Sequence, residues 1–178
     1  MGLDQHRKEA PVRLAFAVIT ISDTRTGAQD TGGAYLVREL EAAGHAVAMR
    51  LTVRDEREAI SAAVQSACRA REVDVVLTTG GTGLAARDVT FDTLRGLLDS
   101  EIPGFGELFR WLSYQQIGAA ALLSRAIGGL IGHTVVLALP GSPKALELAL
   151  RSLVCPRLGT WCRRRAPAGS RSCAAQAA

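Results

Sequence analysis

Strand-like runs begin at Leu14, Val47 and Val73, and the first two are each followed by a stretch whose apolar residues recur at helical spacing. Starts about 30 residues apart with helices between them are the rhythm of right-handed βαβ crossovers, which commit a chain to a parallel sheet with helices on its faces. The run at 14–22 (LAFAVITIS) is continuously apolar and β-branched, the mark of a strand buried on both faces. Val47, Met49, Leu51 and Val53 alternate with polar or small residues, which places the second strand nearer an edge. The third, at 73–79 (VDVVLTT), runs straight into Gly80, Gly81, Thr82 and Gly83. Asp30 before Leu36, Val37 and Leu40, with Gly44 behind them, brackets a first helix by an N-cap and a C-terminal glycine. Asp55 with Glu58 three residues on reads as a capping box for a second, whose stripe is Ile60, Val64 and Cys68 and whose end falls near Arg71. Further helices are expected near 92–99 and 105–117. The remaining strand, 134–139, is stopped by PGSP at 140–143, after which Leu146, Leu150 and Leu153 mark an amphipathic helix.

At 178 residues and 48% hydrophobic content the chain suits one α/β domain of about 150 residues with short tails. A domain of that size buries roughly 70% of the surface its unfolded chain exposes, so it needs neither disulfides nor a structural metal. The formal charge of +4 comes entirely from Arg163, Arg164, Arg165 and Arg171, which leaves 17 basic and 17 acidic residues in 1–162. A neutral body argues against nucleic acid as a partner. From Thr160 onward the residues are mostly Arg, Ala, Gly, Ser and Pro without periodicity, the composition of a disordered tail.

Cys68, Cys155, Cys162 and Cys173 form no C-x-x-C pair and have no His at ligand spacing, which speaks against a zinc site and fits a reducing cytoplasm. His6, His45 and His133 are scattered, and none is expected to act as a base or ligand. The apolar run at 14–21 is too short to span a bilayer, the stretch at 118–132 is broken by Arg125, and the polar start has no cleavage site, so no membrane segment is expected.

In open α/β sheets ligands bind beyond the carboxyl ends of the strands. Ser22 and Asp23 follow the first strand, Asp55 the second, 80–88 the third and 140–143 the last, so four loops distant in sequence are expected to converge. A glycine-rich turn lets backbone N–H groups approach an anion with no Cβ in the way, which makes 80–83 a candidate phosphate cradle. It is not a Walker A loop, since Gly-Lys-Ser/Thr is absent. GTGLAA at 81–86 does satisfy a dinucleotide pattern, but that motif follows a first strand and opens directly into a helix, whereas RDVT intervenes here at 87–90. A nicotinamide-dependent enzyme is the weaker reading. Plain structural roles stand beside the functional ones: Asp30 and Asp55 as helix caps, Asp88 with Arg87 as a surface ion pair, and Ser142 as a turn residue.

Taken together, TISDTR at 20–25, DTGG at 30–33, TGGTG at 79–83, RDVT at 87–90, SRA at 124–126 and PGSP at 140–143 closely resemble, in order and spacing, the MoaB/Mog family of molybdopterin-binding proteins. The resemblance covers about residues 13–159 and leaves tails at 1–12 and 160–178. It implies a three-layer α/β/α sandwich around a mostly parallel sheet, assembled as a homotrimer or homohexamer. It also implies a molybdopterin adenylyltransferase: the terminal phosphate of molybdopterin attacks the α-phosphate of Mg-ATP, pyrophosphate leaves, and the product is ready for a downstream molybdate-inserting protein. Carried over residue by residue, the catalytic carboxylates fall on Asp55 and Asp88, which would hold Mg²⁺ directly or through water. Ser22, Asp23, Gly80, Gly81, Thr82, Gly83, Pro140, Gly141 and Ser142 fall on nucleotide and phosphate contacts. Asp30, Gly33, Ser124 and Arg125 fall on molybdopterin contacts. The alternative in the same pathway is a non-catalytic molybdopterin-binding carrier or scaffold.

Overall fold

The computed structural model describes residues 13–25 and 27–155; the expected tails at 1–12 and 160–178, with Cys162 and Cys173, lie outside them, as does the end of the expected domain at 156–159. In chain order the elements are β1 (Ala15–Ile21), α1 (Thr31–Ala42), β2 (Ala46–Val53), α2 (Arg57–Arg69), β3 (Val75–Thr79) and α3 (Thr90–Leu97). There follow β4 (Ser100–Glu101), α4 (Pro103–Ile117), β5 (Ile127–Ile131), β6 (Thr134–Leu139) and α5 (Pro143–Ala149). Among the described residues no helix is long and apolar enough to cross a membrane.

Six strands make one sheet in the order β2-β1-β3-β6-β5-β4. The pairings from β2 through β6 are parallel, with Phe16 beside Val75 and Val75 beside Val135, while β5 runs antiparallel to both β6 and β4. Strand side chains alternate between faces, and the two faces carry separate cores. Phe16, Val18, Leu77 and Leu137 pack against Leu36 and Leu40 of α1, Phe105 and Phe109 of α4 and Leu146 of α5. Ala17, Ile19, Val76 and Val136 pack against Ile60 and Val64 of α2 and Leu94 of α3. The result is the expected three-layer α/β/α sandwich, in which each fully buried Leu, Ile or Phe stabilises the fold by about 1.5–3 kcal/mol.

Two expectations fail, each for a physical reason. No strand is expected between 79 and 134, yet β5 (IGGLI) lies between β6 and β4. Its glycines answer crowding rather than a turn: a Cβ on Gly128 would sit 2.9 Å from the Phe105 ring, and one on Gly129 would sit 2.6 Å from the Ser100 carbonyl. Nor does Asp55 cap α2. Glu56 occupies the cap position with no side-chain hydrogen bond, and the Asp55 carboxylate points elsewhere.

Asp30, by contrast, is the N-cap of α1 and accepts the Gly33 N–H at 2.8 Å. Its other oxygen accepts the Thr20 hydroxyl at 2.9 Å and an Arg50 N–H at 3.0 Å, so a carboxylate only 2% exposed has its charge answered from inside the protein.

Candidate functional site

The sheet order turns at β1, whose helix leads to β2 on one side while β3 lies on the other, and the loops beyond β1, β3 and β6 meet above that switch point. They meet backbone to backbone. The Gly80 N–H donates to the Leu139 carbonyl at 3.2 Å, a Cβ on Gly80 would overlap the Ile21 carbonyl, and one on Gly141 would lie 3.5 Å from Gly80 Cα. Gly80 and Gly81 have φ of 102° and 61°, the left-handed region that glycine enters without strain. Among the described residues no acceptor takes the N–H groups of Gly81, Thr82 or Gly83, which leaves a row of donors for an anion.

Two carboxylates flank this glycine loop. Asp55 accepts the Val89 N–H at 3.3 Å and the Thr90 hydroxyl at 3.5 Å, and a Cβ on Gly81 would lie 2.6 Å from its Oδ2. Asp88 accepts the Ala85 N–H at 3.1 Å, and a Cβ on Gly83 would lie 2.5 Å from its Oδ2. Asp23 joins them by accepting the Asp55 N–H at 3.0 Å. The expected pair between Arg87 and Asp88 is replaced by Arg87 with Asp23 at 3.4 Å.

Burial raises the Asp55 pKa, and the nearby charges of Asp88 and Asp23 raise it further, while the Val89 N–H and Arg87 oppose them. A carboxyl whose folded pKa exceeds its unfolded value holds its proton longer in the folded state. Its contribution to stability is fully present below the unfolded pKa and is lost as pH rises through the folded one. Asp55→Asn should therefore gain in melting temperature over wild type as pH climbs from about 4 to about 7. A difference that stays flat across that range would show that Asp55 carries no such burden.

Among the described residues no group of three or more His, Cys, Asp or Glu side chains is arranged to hold a metal ion. The Asp55 and Asp88 pair nonetheless suits Mg²⁺, which keeps several waters and takes one or two carboxylates together with substrate phosphates. Asp88 and Asp23, close enough to raise the Asp55 pKa, form with Asp55 a negative center that such a cation would relieve.

A cleft of about 680 Å³ opens beside the loop. Residues 80–83, Asp88 and 140–142 form one wall, and Phe109, Ser113 and Ile117 of α4 form the other. Ser142 caps α5 by accepting the Ala145 N–H at 3.3 Å. Ser22 closes its own turn by accepting the Thr24 and Arg25 N–H groups at 3.3 and 3.0 Å. Because β5 runs opposite to its neighbors, the residues before it arrive where the other strands end, and Ser124 joins the lining with a buried hydroxyl that has no partner among the described residues. Asp30 and Gly33 do not line the cleft, and both are engaged in the cap of α1.

The sequence places Arg25 in the motif at 20–25 without assigning it a role and gives no place to the α4 wall, yet both line the cleft. Phe105, Phe109 and Ser113 recur every four residues on one helix face, and a serine on an apolar stripe, here buried, is the signal that pointed there.

Fold and site together define an open α/β protein whose glycine loop, flanked by acids, presents backbone N–H donors at the switch point of the sheet. Residues 17–160 match a family described as a probable molybdopterin binding domain. Molybdenum cofactor biosynthesis protein B of Bacillus cereus is 49% identical over 160 residues, covering 89% of this chain and 95% of that protein. A crystal structure of a molybdenum cofactor biosynthesis protein B is 48% identical with a TM-score of 0.85, covering 88% of this chain and 98% of that one. A solved MogA chain is 26% identical with a TM-score of 0.76, covering 85% and 99%. The chain belongs to the MoaB/Mog family of molybdopterin-binding proteins, and its role lies in molybdenum cofactor biosynthesis.

Proposed function

We propose that the chain is a molybdopterin adenylyltransferase that uses Mg-ATP. The observation that carries this reading is the pair Asp55 and Asp88, set against Gly81 and Gly83 of one loop, with Asp88 in the lining of the cleft and Asp55 outside it. Two phosphate-bearing polyanions repel each other, and the free N–H groups of 81–83 would answer the charge of one of them. Mg²⁺, when bound, would neutralise phosphate charge and polarise the α-phosphate, with Asp55 and Asp88 holding it directly or through water. An oxygen of the pterin's terminal phosphate forms a new bond to the α-phosphorus, the bond to the β-phosphate breaks, and pyrophosphate departs with that electron pair. The chain's part is chiefly placement and charge stabilisation, as elsewhere in phosphoryl transfer. In this reading Ser22, Asp23 and 140–142 serve the nucleotide and Ser124 the pterin, in the cytoplasm.

Purified protein given ATP, Mg²⁺ and molybdopterin should release pyrophosphate only when all three are present. Folded protein that binds both substrates and releases none would leave the carrier reading in its place. That reading predicts pterin binding that Asp55→Ala does not change.

We assign the exposed apolar face of α4, where Trp111 is 59% and Tyr114 60% exposed, to contact between copies in a homo-oligomer. Sedimentation should show a trimer or hexamer. A monomer at micromolar concentration would remove the assignment.

A further inference from the structure

Two arginines stand near the glycine loop, Arg25 in the lining of the cleft and Arg125 outside that lining on the loop's carbonyls, and they are bonded very differently. Arg125 donates through Nε to the Thr82 carbonyl at 3.3 Å, through Nη1 to Asp92 at 3.1 Å, and through Nη2 to the Asp88 carbonyl at 2.8 Å and to the Gly83 carbonyl. Its guanidinium also lies over the Phe91 ring, 5.2 Å from the centroid. Four of the five N–H bonds a guanidinium can donate are thus spent inside the protein, and no free fork remains for a ligand phosphate. Arg25 lines the same cleft, and among the described residues no carboxylate or carbonyl takes its guanidinium.

The carbonyls that Arg125 holds determine where the loop's donors point. A trans peptide is planar, so the N–H of each unit is directed away from its C=O. With the Thr82 and Gly83 carbonyls turned to Arg125, the N–H groups of Gly83 and Leu84 face the other way. With the Asp88 carbonyl turned to Arg125, the Val89 N–H is aimed at Asp55, which accepts it. One side chain fixes both the anion-facing amides and the orientation of an acid proposed to be catalytic.

We infer that the two arginines divide the work: Arg125 is a positioning residue that holds the glycine loop in shape without touching ligand, and Arg25 is the cation that meets the bound phosphates. The inference deepens the proposed function and rests on its phosphate-bearing ligands. It moves Arg125 from the expected molybdopterin contact to a role behind the loop.

The test uses the full chain with inorganic pyrophosphate as probe, binding measured by calorimetry and loop order by hydrogen exchange over 82–89. Arg25→Gln should weaken binding about tenfold and flatten its salt dependence, while Arg25→Lys keeps most of it, since a point charge suffices at an exposed phosphate contact. Arg125→Lys should be as damaging as Arg125→Gln, because an ammonium cannot span the same acceptors, and both should speed exchange at 82–89. Wild-type binding in Arg25→Gln overturns the inference, as does Arg125→Lys with native exchange and native binding. Wild type that binds no pyrophosphate overturns the phosphate reading of the site and the part given to Arg25. The exchange result on Arg125 is separate from that outcome.

Discussion

Asp88→Asn should lower the rate of pyrophosphate release by about a hundredfold or more, the scale seen when groups that hold or orient a catalytic metal are removed. The substitution is a narrow one. Asparagine keeps an oxygen to accept the Ala85 N–H, now at 3.1 Å, so the loop has no reason to rearrange. Asp88 is partly exposed, and the change should move the urea midpoint by no more than about 0.5 kcal/mol in stability. Only the negative charge is lost, together with the pull it would exert on the cation proposed to be shared with Asp55. A variant that keeps more than half the wild-type rate under saturating Mg²⁺ would take Asp88 out of the chemistry.

Gly81→Ala should cost about 3 kcal/mol of stability and abolish ligand binding at the loop. An L residue at a φ of 61° sits in the left-handed region, which costs about 1–2 kcal/mol. The added Cβ would overlap the Thr90 hydroxyl and lie 2.6 Å from an Asp55 oxygen, and overpacking of that kind costs about 1–3 kcal/mol. To make room, Asp55 and Thr90 must retreat from the loop, and the hydrogen bond from the Thr90 N–H to the Gly81 carbonyl at 3.1 Å retreats with them. Gly96→Ala is the control. It lies on an exposed part of α3 with nothing within 4 Å of the new Cβ, and it should gain about 0.5–1 kcal/mol. Equal urea midpoints for the two variants would mean that the loop is not tightly set.

The parts of the fold that were legible in the sequence are those where one residue pattern has one physical meaning. The continuous apolar runs of β1 and β6 lie between two helical layers, and only a strand buried on both faces reads that way. Asp30 before an apolar helix was read as a cap because capping is local, set by neighbors three residues away. Asp55 followed by Glu58 carried the same signature and misled, because the partners of Asp55 are Val89 and Thr90, more than thirty residues on. β5 was hidden for a related reason: glycine usually marks a turn, and the ring and carbonyl that require it at 128 and 129 come from other elements. The site was legible as a set of loops, since strand ends fix where loops go. The bonding of Arg125 could not be read, because, Asp92 apart, its acceptors are backbone carbonyls, which every residue carries alike.

The reversed direction of β5 has a practical corollary at the far end of the molecule. Its hairpin with β6 turns at Gly132, where φ is 58° and a Cβ would meet nothing within 4 Å. Whatever is grafted onto that turn, a fluorophore, an affinity handle or a few extra residues, is separated from the cleft by the length of the sheet. That makes it the natural attachment point for reporters of substrate encounter, since the label would sit where no ligand is expected to pass.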